Sequence, residues 1–464
     1  MAISHVFAQG VGPFKSVHLD LRGPDGKPSL GPHILAGVNG SGKSTLLKAI
    51  AWCLSSGGGA YGFPAEEWAH YLHHNSEPRV LLVWDFEGLN RFAWAITSDR
   101  ANGWETRLDA WAASRLEAVD VDPAEFPSQM RTSGRFNAAQ FGRRQRLSQG
   151  VGFNVATYSS VPSVRHLDRP DIALPRTVKG MLGFDSTVQN EDIQSWLLGL
   201  YSRRAIAKER DELSSGYTAS LEALERGLTR ICEKEVSIYV DIERAFQLKL
   251  QVGSQTLNFS QIPDGVRVTF GWLADFLMRQ ESCDWQPEFE DLKPGLLLFD
   301  EIEGFLHPLW QRRVLPALRQ ALPATQTIVA SHSPFVISSC PGSTIHVLNV
   351  NSDGTAYVDR RVPAPIGESI TSTLKDIFGV ESRFDVETEE ELAEWNELKK
   401  IKVQRPLSSA EESRFRELHD VLAARSEELR SLVTPTTEWS QDTLDELAET
   451  VTGQRAKKRS LVTR

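Results

Sequence analysis

The sequence predicts an α/β fold, a mixed sheet flanked by helices, and three stretches carry that expectation. Ile34-Leu35-Ala36 reads as a short buried strand. The loop Gly37-Val-Asn-Gly-Ser-Gly-Lys-Ser44 follows it, and Leu46, Leu47, Ile50 and Leu54 then fall on one face of a helix. Gly295-Leu-Leu-Leu-Phe-Asp300-Glu301 is a continuous apolar run ending in two acids, as suits a parallel strand buried on both faces. Thr327-Ile-Val-Ala-Ser-His332 is a second such run.

Composition bounds what surrounds these elements. A chain of 464 residues is long enough for two or three domains, or for one domain with large insertions. No apolar run approaches the ~20 residues of a membrane span, and MAISHVFAQG lacks a signal-peptide pattern, so a cytoplasmic protein without membrane contact is expected. The four cysteines stand apart, with no Cys-x-x-Cys pair, which argues against disulfides and a cysteine zinc site. Net charge is −10, which disfavours a protein that coats nucleic acid over its whole surface but leaves room for a local basic patch.

Taken in order, residues 1–36 read as strand-rich, with Val17–Leu21 alternating and Gly23–Pro32 as a turn. Val80–Phe86 and Phe92–Ile96 read as two strands of a hairpin or meander. Ala110–Val119 is helix-like, the rest of 100–180 shows no clear period, and Asn190–Glu235 is mainly helical. Leu248–Val252 and Thr256–Phe259 flank Gly253-Ser as a hairpin. An apolar helix follows over Val268–Met278, and another over Trp310–Leu322. Beyond about residue 365 the chain reads as polar helices, with Thr388–Glu391 and Ser409–Glu412 fitting capping boxes, and it ends in a basic tail.

The loop Gly37–Ser44 matches G-x-x-x-x-G-K-[ST], a phosphate-binding loop. Gly37, Gly40 and Gly42 let successive backbone N–H groups turn inward on an anion, alongside Asn39, Ser41 and Thr45. The helix that starts near Lys43 adds its positive end. Lys43 reaches the β- and γ-phosphates of a nucleotide, and the Ser44 hydroxyl is a ligand for Mg²⁺. Asp300, at a strand end, is the expected second Mg²⁺ contact. Glu301 is then set to orient or deprotonate the attacking water, and His332, ending a neighbouring strand, to donate to the γ-phosphate. The expected cofactors are therefore ATP and Mg²⁺.

Gly37–Ser44, Ile262-Pro-Asp-Gly265, Asp300-Glu-Ile-Glu-Gly304-Phe-Leu-His307-Pro308 and Ser331-His-Ser-Pro334 together resemble an ABC-type ATPase. The resemblance is to the branch related to the SMC, RecF and Rad50 proteins, including stand-alone ATPases of bacterial anti-phage systems of the Septu-like or PARIS-like kind. It implies a P-loop NTPase head in two parts, 1–99 and 248–364. An insertion with a second lobe and short helical arm lies between, over 100–247, and a helical region follows over 365–464. It also implies a homodimeric or larger assembly in which two heads sandwich ATP. Asp264 and Gly265 would then act as a signature-like loop in trans, though Pro263 stands where the family usually has Ser. A Mg²⁺-sensing glutamine is implied within the interval of about 220 residues from Lys43 to Asp264, with Gln140 and Gln149 as candidates.

Between Glu125 and Asp168 the sequence has no acid, while Arg131, Arg135, Arg143, Arg144, Arg146 and Arg165 all occur. These guanidinium groups are candidates for contact with double-stranded DNA, or for a solvated basic face. The functional expectation is an ATPase coupled to DNA sensing or to a partner effector such as a nuclease. A DNA-repair ATPase and a slow, ATP-dependent assembly scaffold remain alternatives. An intrinsic nuclease is not expected, because no acidic cluster on strand-like segments follows His332 and His73-His74-Asn75 resembles a nuclease element only superficially.

Overall fold

The computed structural model describes residues 2–55, 78–86, 89–99, 103–106, 110–122, 154–159, 190–209, 216–241, 247–258, 261–282, 294–304, 306–380 and 382–434. Two compact units result, Met1–Gly379 and Val380–Arg464. The helical region thus separates after Gly379 rather than at residue 365. The helix Ile370–Phe378 accounts for the shift, since Ile377 and Phe378 pack on the core of the first unit.

The first unit is organised by a sheet of six strands. In chain order these are β3 (His33–Gly37), β7 (Asn154–Ser159), β11 (Gly295–Asp300), β12 (Thr325–Ala330), β13 (Thr344–Val350) and β14 (Ala356–Pro363). Across the sheet they run β14-β13-β3-β12-β11-β7, with β14 antiparallel and the other neighbours parallel. The sheet is therefore mixed, as expected. Strands β7, β13 and β14 were not anticipated.

Burial on both faces explains the unbroken apolar runs. In β11, Leu296 and Leu298 point into one core and Leu297 and Phe299 into the other; Leu35 and Ile34 of β3 divide the same way. The first core is filled by helix α1 (Lys43–Ser55), through Leu46, Leu47 and Ile50, and is closed by a second, antiparallel sheet. That sheet comprises β1 (Ala2–Val11), β2 (Phe14–Asp20), β4 (Arg79–Phe86), β5 (Leu89–Asp99) and β6 (Gly103–Thr106), in the order β2-β1-β4-β5-β6. Helix α2 (Ala110–Glu117) covers part of its far side through Ala112 and Leu116.

The second core is helical. Helices α3 (Asn190–Glu209), α4 (Gly216–Cys232), α5 (Asp264–Ser282) and α6 (Pro308–Ala321) contribute Trp196, Leu224, Phe276 and Leu315 to it. A small antiparallel sheet of β8 (Val236–Asp241), β9 (Gln247–Val252) and β10 (Gln255–Asn258) joins α4 to α5 and contains the expected hairpin. Helix α7 (Pro334–Ile337) and helix α8 (Ile370–Phe378) complete the unit. Among the described residues, no helix is long and apolar enough to cross a membrane.

The second unit holds α9 (Val386–Gln404), α10 (Ser409–Arg425) and α11 (Glu427–Val433), packed through Trp395, Leu398, Leu418, Leu422, Leu429 and Val433. Its helix starts differ from those expected. Asp385, not Thr388, caps α9, because its carboxylate accepts the Thr388 N–H and hydroxyl and leaves Thr388 buried inside the first turn. Ser408 and Glu411, one residue before the expected pair, form the capping box of α10.

Candidate nucleotide site

Parallel strands bring their C-terminal ends to one edge, and the register fixes which residues meet there. Asp300 lies level with Ala330 on one side and Ser159 on the other, and Ala330 lies level with Leu35. The loop after β3, the turn after β11 and the turn after β12 therefore leave the sheet together. This is where α/β sheets bind ligands.

The loop is shaped by close approaches that only glycine permits. Gly37 has φ 148°, and a Cβ there would lie 2.2 Å from the Leu348 carbonyl oxygen. Gly42 has φ 86°, and its Cβ would lie 2.3 Å from the Phe14 ring. Asn39 and Gly40 form the exposed tip, whereas Ser41 is buried and donates its N–H to the Val38 carbonyl. Thr45 packs its methyl against Gly12. Lys43 curls over the loop and donates to the carbonyls of Gly37 and Val38, both at 2.9 Å. Burial lowers its ammonium to about 8, against the opposing pull of Asp300, Glu303 and Glu301.

The residue after Lys43 makes the contact that closes the site. Ser44 Oγ donates to Asp300 Oδ1 at 2.8 Å. Burial raises the Asp300 carboxyl above its ordinary range, while the Ser44 hydrogen bond draws it back. A hydroxyl and a carboxylate side by side are hard oxygen donors that fit Mg²⁺. Among the described residues, no group of three or more His, Cys, Asp or Glu side chains could hold a metal ion.

Glu301 follows in an exposed turn at φ 53°, its N–H bonded to the Ala330 carbonyl and its carbonyl to the Gly304 N–H. His332 stands two residues past β12, slightly beyond the strand end expected for it. Burial lowers the His332 imidazole below its ordinary range, and Lys43 adds to the effect. Lys43, Ser44, Asp300, Glu301 and His332 thus meet at one edge. Asp264 and Gly265 are the first residues of α5, where Asp264 is exposed and ion-paired with Arg267.

Two residues at this edge carry no role assigned from sequence. Glu303 Oε1 accepts the His332 N–H at 2.5 Å, and Gln311 Oε1 accepts the Ser333 hydroxyl at 2.6 Å. The partner of Glu303 is 29 residues away, so no local pattern announces the contact. Arg131, Arg135, Arg143, Arg144, Arg146 and Arg165 lie outside the described residues, as do Gln140 and Gln149. Strand β7 follows both glutamines in sequence, and its last residue, Ser159, lies level with Asp300.

Comparison with known proteins agrees with these motifs. Residues 242–338 match the family described as "AAA domain, putative AbiEii toxin, Type IV TA system". A Septu protein PtuA of Bacillus mycoides (strain KBAB4) is 30% identical over 121 residues, 26% of this chain and 16% of that protein. The chain thus spans a small part of that relative's length. The Retron Vc95 probable ATPase of Vibrio cholerae is 22% identical over 369 residues, 68% of each chain. Among solved structures, the SMC head domain from Thermotoga maritima aligns with 79% of this chain and 100% of its own, at 15% identity and a TM-score of 0.42. By its motifs the chain resembles the ABC/SMC-like ATPases, and the relatives it matches by sequence are Septu and retron proteins.

Proposed function

We propose that the chain binds ATP with Mg²⁺ and hydrolyses it to ADP and phosphate. The observation that carries this is the 2.8 Å bond from Ser44 to Asp300, which joins the phosphate-binding loop to the acidic strand end. Lys43 and the loop N–H groups neutralise the β- and γ-phosphate oxygens. Ser44 and Asp300 would hold Mg²⁺, which would supply further neutralisation of the phosphate charge. Water attacks the γ-phosphorus, its proton passes to Glu301, and the bond to the β–γ bridging oxygen breaks. His332, whose burial favours the neutral imidazole, donates a hydrogen bond to the γ-phosphate.

Two copies of the chain complete the site in this reading, with the N-terminus of α5 at Asp264 and Gly265 facing the γ-phosphate of the other copy. The relatives support placing this cycle in anti-phage defence, where it controls a partner effector such as a nuclease in response to DNA or another trigger.

Steady-state hydrolysis by the wild type and by Glu301→Gln tests the assignment. The variant should bind ATP and assemble into dimers by sedimentation, yet barely turn over. A variant as fast as the wild type would remove Glu301 from its role. Adding double-stranded DNA should change the wild-type rate if DNA is the trigger, and an unchanged rate would point to a different one.

A further inference from the structure

We propose that Glu303 is a positioning residue for His332, locking the turn that carries His332 to the turn that carries Asp300 and Glu301. Its effect on turnover rests on the site being hydrolytic, as proposed above; the contact itself does not.

The backbone of the His332 turn needs an outside partner. Ser331 still donates its N–H to Leu35, but at His332 the chain has left the ladder of β12. Its N–H goes instead to the Glu303 carboxylate at 2.5 Å. An N–H bonded to a carboxylate is roughly twice as strong as a neutral pair. Glu303 is itself held by its turn: Ile302 beside it is fully buried, and the Leu306 N–H donates to the Glu303 carbonyl.

A second strap runs parallel to the first. Gln311 of α6 donates to the carbonyls of Glu303 and Leu306, at 3.4 and 2.9 Å, and accepts the Ser333 hydroxyl. Ser333 in turn caps α7 through the N–H groups of Phe335 and Val336. The His332 N–H is thereby tied to the acidic turn directly, and the Ser333 hydroxyl is tied to it through Gln311. Holding a carboxylate in a largely buried position is costly unless it is paired. The sequence nevertheless keeps a carboxylate there, directed at the one peptide that sets the imidazole.

The test compares Glu303→Ala, Glu303→Gln and His332→Ala with the wild-type full chain in MgATP turnover, alongside amide exchange at His332. Loss of a hydrogen bond to a charged group should lower kcat in Glu303→Ala by roughly tenfold to a hundredfold, with KM changed by less than about threefold. Glu303→Gln keeps an acceptor oxygen and should restore most of the rate. Glu303→Ala placed on His332→Ala should slow the enzyme no further, since the residue acts through the imidazole. Exchange at the His332 amide should quicken in Glu303→Ala and not in Glu303→Gln. Unchanged exchange, or a double variant slowed by the full factor seen in the single one, would overturn the proposal. A wild type without turnover would refute the hydrolytic reading, and the exchange result would still decide the role of Glu303.

Discussion

Ser44 and Asp300 are 256 residues apart in sequence and joined by a 2.8 Å hydrogen bond. Each alone is ambiguous: one is a helix-start serine, the other a strand-end acid. Together they form a pair of hard oxygen donors at the edge of a parallel sheet. Replacing Ser44 with Ala should weaken MgATP binding by about tenfold, the worth of one lost polar contact, while ATP without Mg²⁺ binds nearly as before. Nucleotide titrations with and without Mg²⁺ read the difference. Equal losses in both would mean that Ser44 contacts the nucleotide and not the ion.

The glycines of the loop are not equivalent. A Cβ at Gly42 would meet the Phe14 ring at 2.3 Å in a left-handed backbone, whereas a Cβ at Gly40, φ 80°, meets nothing within 4 Å. Gly40→Ala therefore pays only the backbone term, about 1–2 kcal/mol. Gly42→Ala adds overpacking against a buried aromatic ring, for a total of about 2–5 kcal/mol. Urea denaturation of the two variants should rank them in that order.

How far the site could be read from sequence depended on distance along the chain. The phosphate-binding loop was legible because its glycines, Lys43 and Ser44 lie within eight positions, and β11 because burial on both faces leaves an unbroken apolar run. Strand β7, Asn154–Ser159, gave no such signal. Among the described residues it is an edge strand paired only with β11, and polar residues interrupt its apolar ones. In β13, His346 breaks the apolar pattern although it is buried, because its ring meets His33 of β3. Glu303 was visible only as part of an acidic turn, since its partner is fixed by the sheet and not by spacing. The start of α9 misled because Asp385 and Thr388 are both cap-forming residues, and only geometry shows which one faces the free N–H groups.

Burial of His33 and His346, at the sheet edge opposite the phosphate-binding loop, should make stability depend on pH. Both rings are buried, His33 Nδ1 lies 3.4 Å from His346 Nε2, and His33 Nε2 lies 3.3 Å from the Ser29 carbonyl. Burial lowers His33 to about 4, and burial together with His33 and Arg361 lowers His346 as well. Because the folded value lies below the unfolded one, the unfolded chain takes up protons first on acidification. Stability is therefore retained above about pH 6.5 and falls as pH drops toward 4, by about 3 kcal/mol for His33 if the full shift is realised. Denaturation curves between pH 7 and 4.5 should show this loss, and His33→Asn should flatten it. Parallel curves for the two proteins would exclude His33 as its source.

Glu301 holds a left-handed backbone, φ 53°, at the place where a long side chain has least reason to adopt it. For a residue with a Cβ that conformation costs about 1–2 kcal/mol, and asparagine tolerates it better. The turn keeps glutamate all the same, with its N–H tied to Ala330 and its carbonyl to Gly304, so the strain is set by the sheet and is not relieved locally. This backbone sets Glu301 directly after Asp300, at the position where the proposed reaction needs a carboxylate. Glu301→Asn should accordingly raise the stability of the nucleotide-free protein by up to about 1 kcal/mol while removing turnover. Melting curves and hydrolysis rates measured on the same preparation test both halves. A variant that is less stable than the wild type, or that still hydrolyses ATP, would break the link between this backbone strain and the chemistry.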